Sequence, residues 1–147
     1  MKRSTKKLII IAILSLMVLS ITAGIYLYNK GPMDVKSVRG IRVSATELYN
    51  LFTTDSVFAG KKFTGRVVQV EGEVTRISSN NSNQKVVLIK TGTDGAYVNC
   101  TLEGPDMNTA LSHTIRIKGI CSGIGQGDAD LGIPGDVYVT RCYIATN

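Results

Sequence analysis

Few side chains in this sequence could do chemistry. Cysteine occurs as Cys100, Cys121 and Cys142, histidine only as His113, and Asp128, Asp130 and Asp136 share a glycine-rich stretch. A His-based zinc site has no second imidazole to draw on. No nucleophile is set beside a base and no glycine-rich phosphate loop occurs, so no catalytic residues and no enzyme activity are expected. The three aspartates offer oxygen ligands suited to Ca²⁺, but no Glu closes a 12-residue loop as in an EF-hand. A flexible polar loop is therefore expected there, with no metal and no cofactor. The wide cysteine spacing excludes Cys-x-x-Cys chemistry. An oxidising compartment would permit one disulfide, with Cys121 and Cys142 as the candidate pair, or else all three are small residues facing a β-core.

Charge narrows the partner. The net charge of +6 suggests nucleic acid until it is located. Lys2, Arg3, Lys6 and Lys7 give +4, and Lys30, Lys36, Arg39 and Arg42 against Asp34 give +3. From Ser44 to Asn147, nine basic residues face ten acidic ones, a net of −1. The globular part is not basic, and nucleic acid is not its expected ligand. The cations instead flank Leu8–Tyr28, 21 residues without a charge, whose Ser15, Ser20 and Thr22 can bond within a helix. That length spans a bilayer. Tyr26 and Tyr28 close the segment like an interfacial belt, and the basic block before it predicts a cytoplasmic N-terminus. A single-pass signal anchor is expected, with residues 1–7 as a cytoplasmic tail, 8–28 as the transmembrane helix and 29–43 as a linker. The rest would lie outside the cytoplasm, in the periplasm or at the cell surface. A cleaved signal peptide is the competing reading, but the apolar core is long and Ile21-Thr22-Ala23 is a poor cleavage site. No Cys stands near its end for lipoprotein processing.

The elements that must position any site follow from periodicity. Ser44-Ala45-Thr46-Glu47 reads as a capping box. Leu48, Leu51 and Phe52 follow at helical spacing, and Asp55 could cap a second turn carrying Phe58 and Ala59 and ending near Gly60. One helix or two short ones over about 44–60 should pack on the core. Gly65–Ile77 is a strand of 13 residues. Val68, Val70, Gly72 and Val74 lie on its inner face, and Gly72 marks a bend. Lys85–Lys90, Ala96–Leu102, His113–Cys121 and Val137–Ile144 read as four more strands, with a helical turn over Met107–Leu111. In the last strand apolar parity changes between Val139 and Cys142, which predicts a bulge at Thr140-Arg141.

A long, bent first strand and a break between the third and fourth match a five-stranded OB-fold barrel. A small β-sandwich is the alternative. The fold class is all-β with a short helical N-terminal appendage, behind a transmembrane helix. The run Ala45-Thr46-Glu47-Leu48-Tyr49, Phe52, Asp55, Ala59, Phe63, Gly65, Val70, Gly72, Val74 resembles the start of the tRNA-anti-like family of OB-fold domains. Val98-Asn99-Cys100, Ile117-Lys118-Gly119-Ile120-Cys121-Ser122-Gly123 and Val139–Cys142 are similar to its later blocks, so the resemblance spans Ser44 to Ile144. It implies the fold and a small envelope protein, brings no catalytic residues, and does not imply tRNA binding. OB ligands meet the second and third strands and the loops after the first and fourth. The candidate binding residues are therefore Tyr97, Asn99, Thr101, Arg116 and Lys118, with loops Ser78–Gln84 and Ser122–Asp136. The expected function is a membrane-anchored binding or structural module for an envelope protein, peptide or glycan, with single-stranded nucleic acid as the alternative.

Overall fold

The computed structural model describes residues 3–29, 31, 33–104 and 114–145. Two compact units divide the chain, Met1–Met33 and Asp34–Asn147. The first is one helix, α1 (Arg3–Asn29), and Lys6–Asn29 is long and apolar enough to cross a membrane. Two of its polar side chains bond to their own helix: Ser20 Oγ donates to the Leu16 carbonyl (2.9 Å) and Thr22 Oγ1 to that of Val18 (2.7 Å). Polar groups satisfied in this way are what a lipid environment demands.

The second unit contains β1 (Ile41–Ser44), α2 (Ala45–Thr54), α3 (Ser56–Phe63), β2 (Val67–Ser79), β3 (Lys85–Lys90), β4 (Tyr97–Leu102), β5 (Thr114–Ile124) and β6 (Val137–Ile144). β2 pairs antiparallel with β5 over Val67–Glu73 and then with β3 over Val74–Ser79. β3 pairs antiparallel with β4, β4 parallel with β6, and β6 antiparallel with β5. The circuit closes into a five-stranded mixed barrel, the OB architecture, and the sandwich alternative is set aside. The strand that serves two sheet partners is the long one with Gly72 near its middle. Its irregularity lies three residues past Gly72, where a register shift between Val74 and Arg76 inserts Thr75 as an extra residue.

Two features depart from the sequence reading. The stretch 29–43, read as linker, holds β1, which pairs parallel with β2 from Ile41↔Val68 to Ser44↔Glu71. Val35, 2% exposed, is packed into the domain as well. Gly40 permits the approach, because a Cβ there would lie 3.3 Å from the Gln69 nitrogen. The second departure concerns α3. Phe58 is 49% exposed, whereas Phe63, past the expected end of the helix near Gly60, is 1% exposed. The caps formed as read. Ser44 Oγ accepts from Glu47 N–H (3.1 Å) and Asp55 Oδ1 from Phe58 N–H (2.9 Å). Leu48, Tyr49 and Phe52 then point into the barrel mouth, where Phe52 meets Phe63 with ring centroids 6.3 Å apart.

The β6 bulge lies where parity placed it. Lys118↔Tyr143 and Ile120↔Thr140 are successive pairs, and Arg141 takes the left-handed conformation at φ 53°. Glu103 Oε2 steadies it, accepting from Arg141 Nε (3.3 Å) and Tyr143 Oη (3.0 Å). The hydrogen bond to the carboxylate, with lesser help from desolvation, raises the Tyr143 pKa, since ionising the phenol would put two anions together.

The cysteine pair Cys121–Cys142 is not made. The register sets Cys121 against Val139, and all three cysteines are buried free thiols. Burial raises the pKa of Cys121 and, further, that of Cys142, which also shares a hydrogen bond with Cys100. Because the thiolate is the reactive species, native protein is expected to resist thiol-specific alkylation at neutral pH and to react at all three cysteines once denatured. Counting modified thiols by mass before and after denaturation checks this. Labelling of the native fold would contradict the placement. His113, the Gly104-Pro105-Asp106 break beyond Gly104 and the helical turn Met107–Leu111 lie outside the described residues.

Candidate functional site

Residues paired across neighbouring strands put their side chains on one face, so the ladders define the outer surface. On β4, Val98, Cys100 and Leu102 are buried, and Tyr97, Asn99 and Thr101 face outward. Lys90, Leu88 and Val86 of β3 lie opposite them in that order. Beyond β3 come Arg76 and Ser78 of β2, and on the other side Tyr138 of β6 is paired with Asn99. Tyr138 is 43% exposed. The face is thus an amide flanked by two tyrosines, with two aliphatic side chains beside them and Lys90 and Arg76 at the margin.

Both expected loops border it, at opposite ends. In the β2–β3 turn Asn80 Oδ1 accepts from Ser82 and Gln84 N–H at 3.0 and 2.9 Å. The β5–β6 loop was expected to be flexible but is built. Asp128 and Ile133 exchange backbone hydrogen bonds at 2.8 and 2.9 Å, and Asp128 Oδ1 accepts from Asp130 and Leu131 N–H. Asp136 Oδ1 accepts from Tyr97 N–H (2.9 Å) at the start of β4. Two of the three aspartates are therefore turn and loop fasteners. Among the described residues no group of three or more His, Cys, Asp or Glu could hold a metal. The tip of this loop, which joins β5 to β6, presents Leu131 and Ile133, 71% and 53% exposed.

The five candidate residues do not form one site. Tyr97, Asn99 and Thr101 stand together, but β6 separates β4 from β5 and so parts them from Arg116 and Lys118. Arg116 pairs with Glu71 at 2.9 Å, and Lys118 Nζ donates to the Lys36 carbonyl at 2.9 Å. Near them Arg42, Ser44, Glu47, Gln69, Glu71 and Arg116 line an open groove of about 520 Å³. Its two arginines are matched by two glutamates, so it has no net attraction for an anion.

Several members of the main face were not nominated from sequence. Val86-Val87-Leu88-Ile89 is continuously apolar, so nothing in it told the outward pair from the buried pair. Arg76 is turned outward by the unforeseen bulge at Thr75. Leu131 and Ile133 carried a signal, as apolar residues in a glycine-rich loop, but it does not distinguish exposure from burial.

Comparison with known proteins adds the following. No curated protein matches the sequence. Among solved structures, one from Klebsiella pneumoniae subsp. pneumoniae, provisionally described as a nucleic acid-binding lipoprotein, shares 17% identity at a TM-score of 0.49 over 79% of this chain and 100% of that one. Another, provisionally described as an aspartyl-tRNA synthetase from Leishmania major Friedlin, shares 11% identity at a TM-score of 0.40 over 85% of this chain and 26% of that one. The tRNA_anti-like family model matches residues 1–130. With that match over most of its length, and the barrel described above, the chain belongs to the tRNA_anti-like family.

Proposed function

We propose that the protein is a membrane-anchored OB-fold module that holds a polypeptide or glycan partner of the cell envelope against the outer face of β3, β4 and β6. α1 serves as a single-pass anchor with a cytoplasmic N-terminus, and the barrel works on the far side of the membrane. The observation that carries this reading is the make-up of the face. Leu88, Asn99 and Tyr138 form its middle, and the loop that leads into β6 just before Tyr138 carries the exposed Leu131 and Ile133. Aromatic and aliphatic groups around a hydrogen-bonding amide suit a largely uncharged surface, with the cations kept to the margin.

One specific observation favours a second reading. Tyr97 and Tyr138 face outward on neighbouring strands, with Lys90 opposite Tyr97 and Arg76 on the same surface. Bases of a single strand stack on such rings, each worth about 1–3 kcal/mol, while cations follow the phosphates. Phosphate binding must weaken steeply with salt, because counterions are released. Residues 34–147, titrated with a fluorescent single-stranded oligonucleotide at low and physiological salt, are expected to show no saturable binding at physiological salt. Tight binding that falls with salt and disappears in Tyr97→Ala would transfer the function to nucleic acid.

A further inference from the structure

The segment Asp34–Gly40 is laid over β5 and the C-terminal part of β6. Lys118 of β5 donates to the Lys36 carbonyl, and the Lys36 ammonium sits 4.6 Å from the ring centre of Tyr143 on β6. Arg42, Gln69, Lys118 and Tyr143 then run in one register row across β1, β2, β5 and β6. Lys36, Arg39 and Arg42 are exposed, as is Val38 at 38%. Set against these cations and Lys118 are Asp34, whose carboxylate accepts Lys36 N–H, Glu47, which lines the groove with Arg42, and Glu71, which is already paired with Arg116. This face is basic although residues 44–147 as a whole are not.

Covalent reach limits what such a face can meet. Only residues 30–33 separate the end of α1 at Asn29 from Asp34. At about 3.3–3.6 Å per residue the connection extends no more than roughly 18 Å. We infer that the strap face, made of Lys36, Val38, Arg39, Arg42 and Lys118, is a membrane-docking surface that rests on the anionic headgroups of the bilayer α1 spans. This rests on the reading of α1 as a retained anchor. Each basic side chain close to an anionic surface is worth about a fivefold gain in occupancy. With Asp34 and Glu47 set against Lys36, Arg39, Arg42 and Lys118, the net of two positive charges favours the docked state by about twenty-five-fold.

The test uses the full chain reconstituted into vesicles of phosphatidylcholine, alone or with about a third phosphatidylglycerol. A fluorophore is placed at Ser37→Cys, the native thiols being buried, and a control at Ser82→Cys in the β2–β3 turn. A headgroup-attached quencher reports proximity. The expected result is strong quenching at position 37 in anionic vesicles only. It should be relieved at about 1 M salt, where the Debye length is about 3 Å, and by the triple substitution Lys36→Glu, Arg39→Glu, Arg42→Glu. Position 82 should stay bright throughout. Quenching at 37 that is equal in neutral and anionic vesicles and indifferent to salt and charge reversal would reflect the tether alone and overturn the proposal. Failure of the full chain to float with neutral vesicles would instead overturn the anchor.

Discussion

Gly119→Ala is expected to destabilise the barrel by about 3 kcal/mol, read as a lowered urea midpoint of residues 34–147. Gly119 lies on β5 opposite the β6 bulge, where two β6 residues crowd one position. A Cβ built there would come within 2.6 Å of Cys142 Sγ, 2.7 Å of Val139 Cγ1 and 2.9 Å of the Thr140 carbonyl oxygen. Val139 and Cys142 are fully buried and the third neighbour is backbone, so nothing at the site is a flexible end that can swing aside. Cores this tightly packed meet an added methyl with strain rather than adjustment. Combining Gly119→Ala with Cys142→Ala should recover part of the loss, because the two residues are in contact and their effects couple. Additive effects, or a neutral single substitution, would mean that β5 does not face the bulge.

Gly72→Val should cost about 2–3 kcal/mol. The crowding comes from β3 and α2 and not from Val70 and Val74 of β2 itself. A Cβ at Gly72 would lie 2.5 Å from Ile89 Cγ2 on β3 and 3.1 Å from the Cβ of Ala45 at the start of α2. The bare glycine is where the helix start, β3 and the bending strand come together. Glu73→Val, one residue along on the exposed side, should change stability little and may be compared in the same urea melts. In a flat edge strand Gly72→Val would be neutral or favourable, since Val has the higher strand propensity. A variant melting at or above the wild-type midpoint would remove the bent strand from the account.

How far the sequence could be read depended on the range of each signal. Lys85–Lys90 and Val137–Ile144 form as read because alternation, composition and flanking turns are local. The β6 bulge was visible because Val139 and Cys142 differ in parity within one strand. The β2 bulge broke the alternation in the same way between Val74 and Ile77, but it fell near the expected strand end, where loss of pattern reads as termination. β1 was missed because four residues give too little alternation and its parallel partner lies 27 positions away, as in Ile41↔Val68. The candidate site divided for the same reason. Tyr97, Asn99 and Thr101 share a face by local alternation, whereas their separation from Arg116 and Lys118 depends on β6 entering between β4 and β5. Of the two readings of the cysteines, the core-facing one holds; the Cys121–Cys142 bond fails on register, which neighbourhood of strands alone does not determine.

Engagement of a polypeptide or glycan by the β3–β4–β6 face is measured most directly at Tyr138. A photo-crosslinking amino acid at position 138 of the full chain, activated in intact cells, is compared with the same group at Thr54, exposed at the end of α2. A discrete protease- or glycosidase-sensitive adduct is expected at 138, none at 54, and its loss when Leu131→Asp and Ile133→Asp are introduced in the β5–β6 loop. A nuclease-sensitive adduct at 138, or equal crosslinking at both positions, would contradict that engagement.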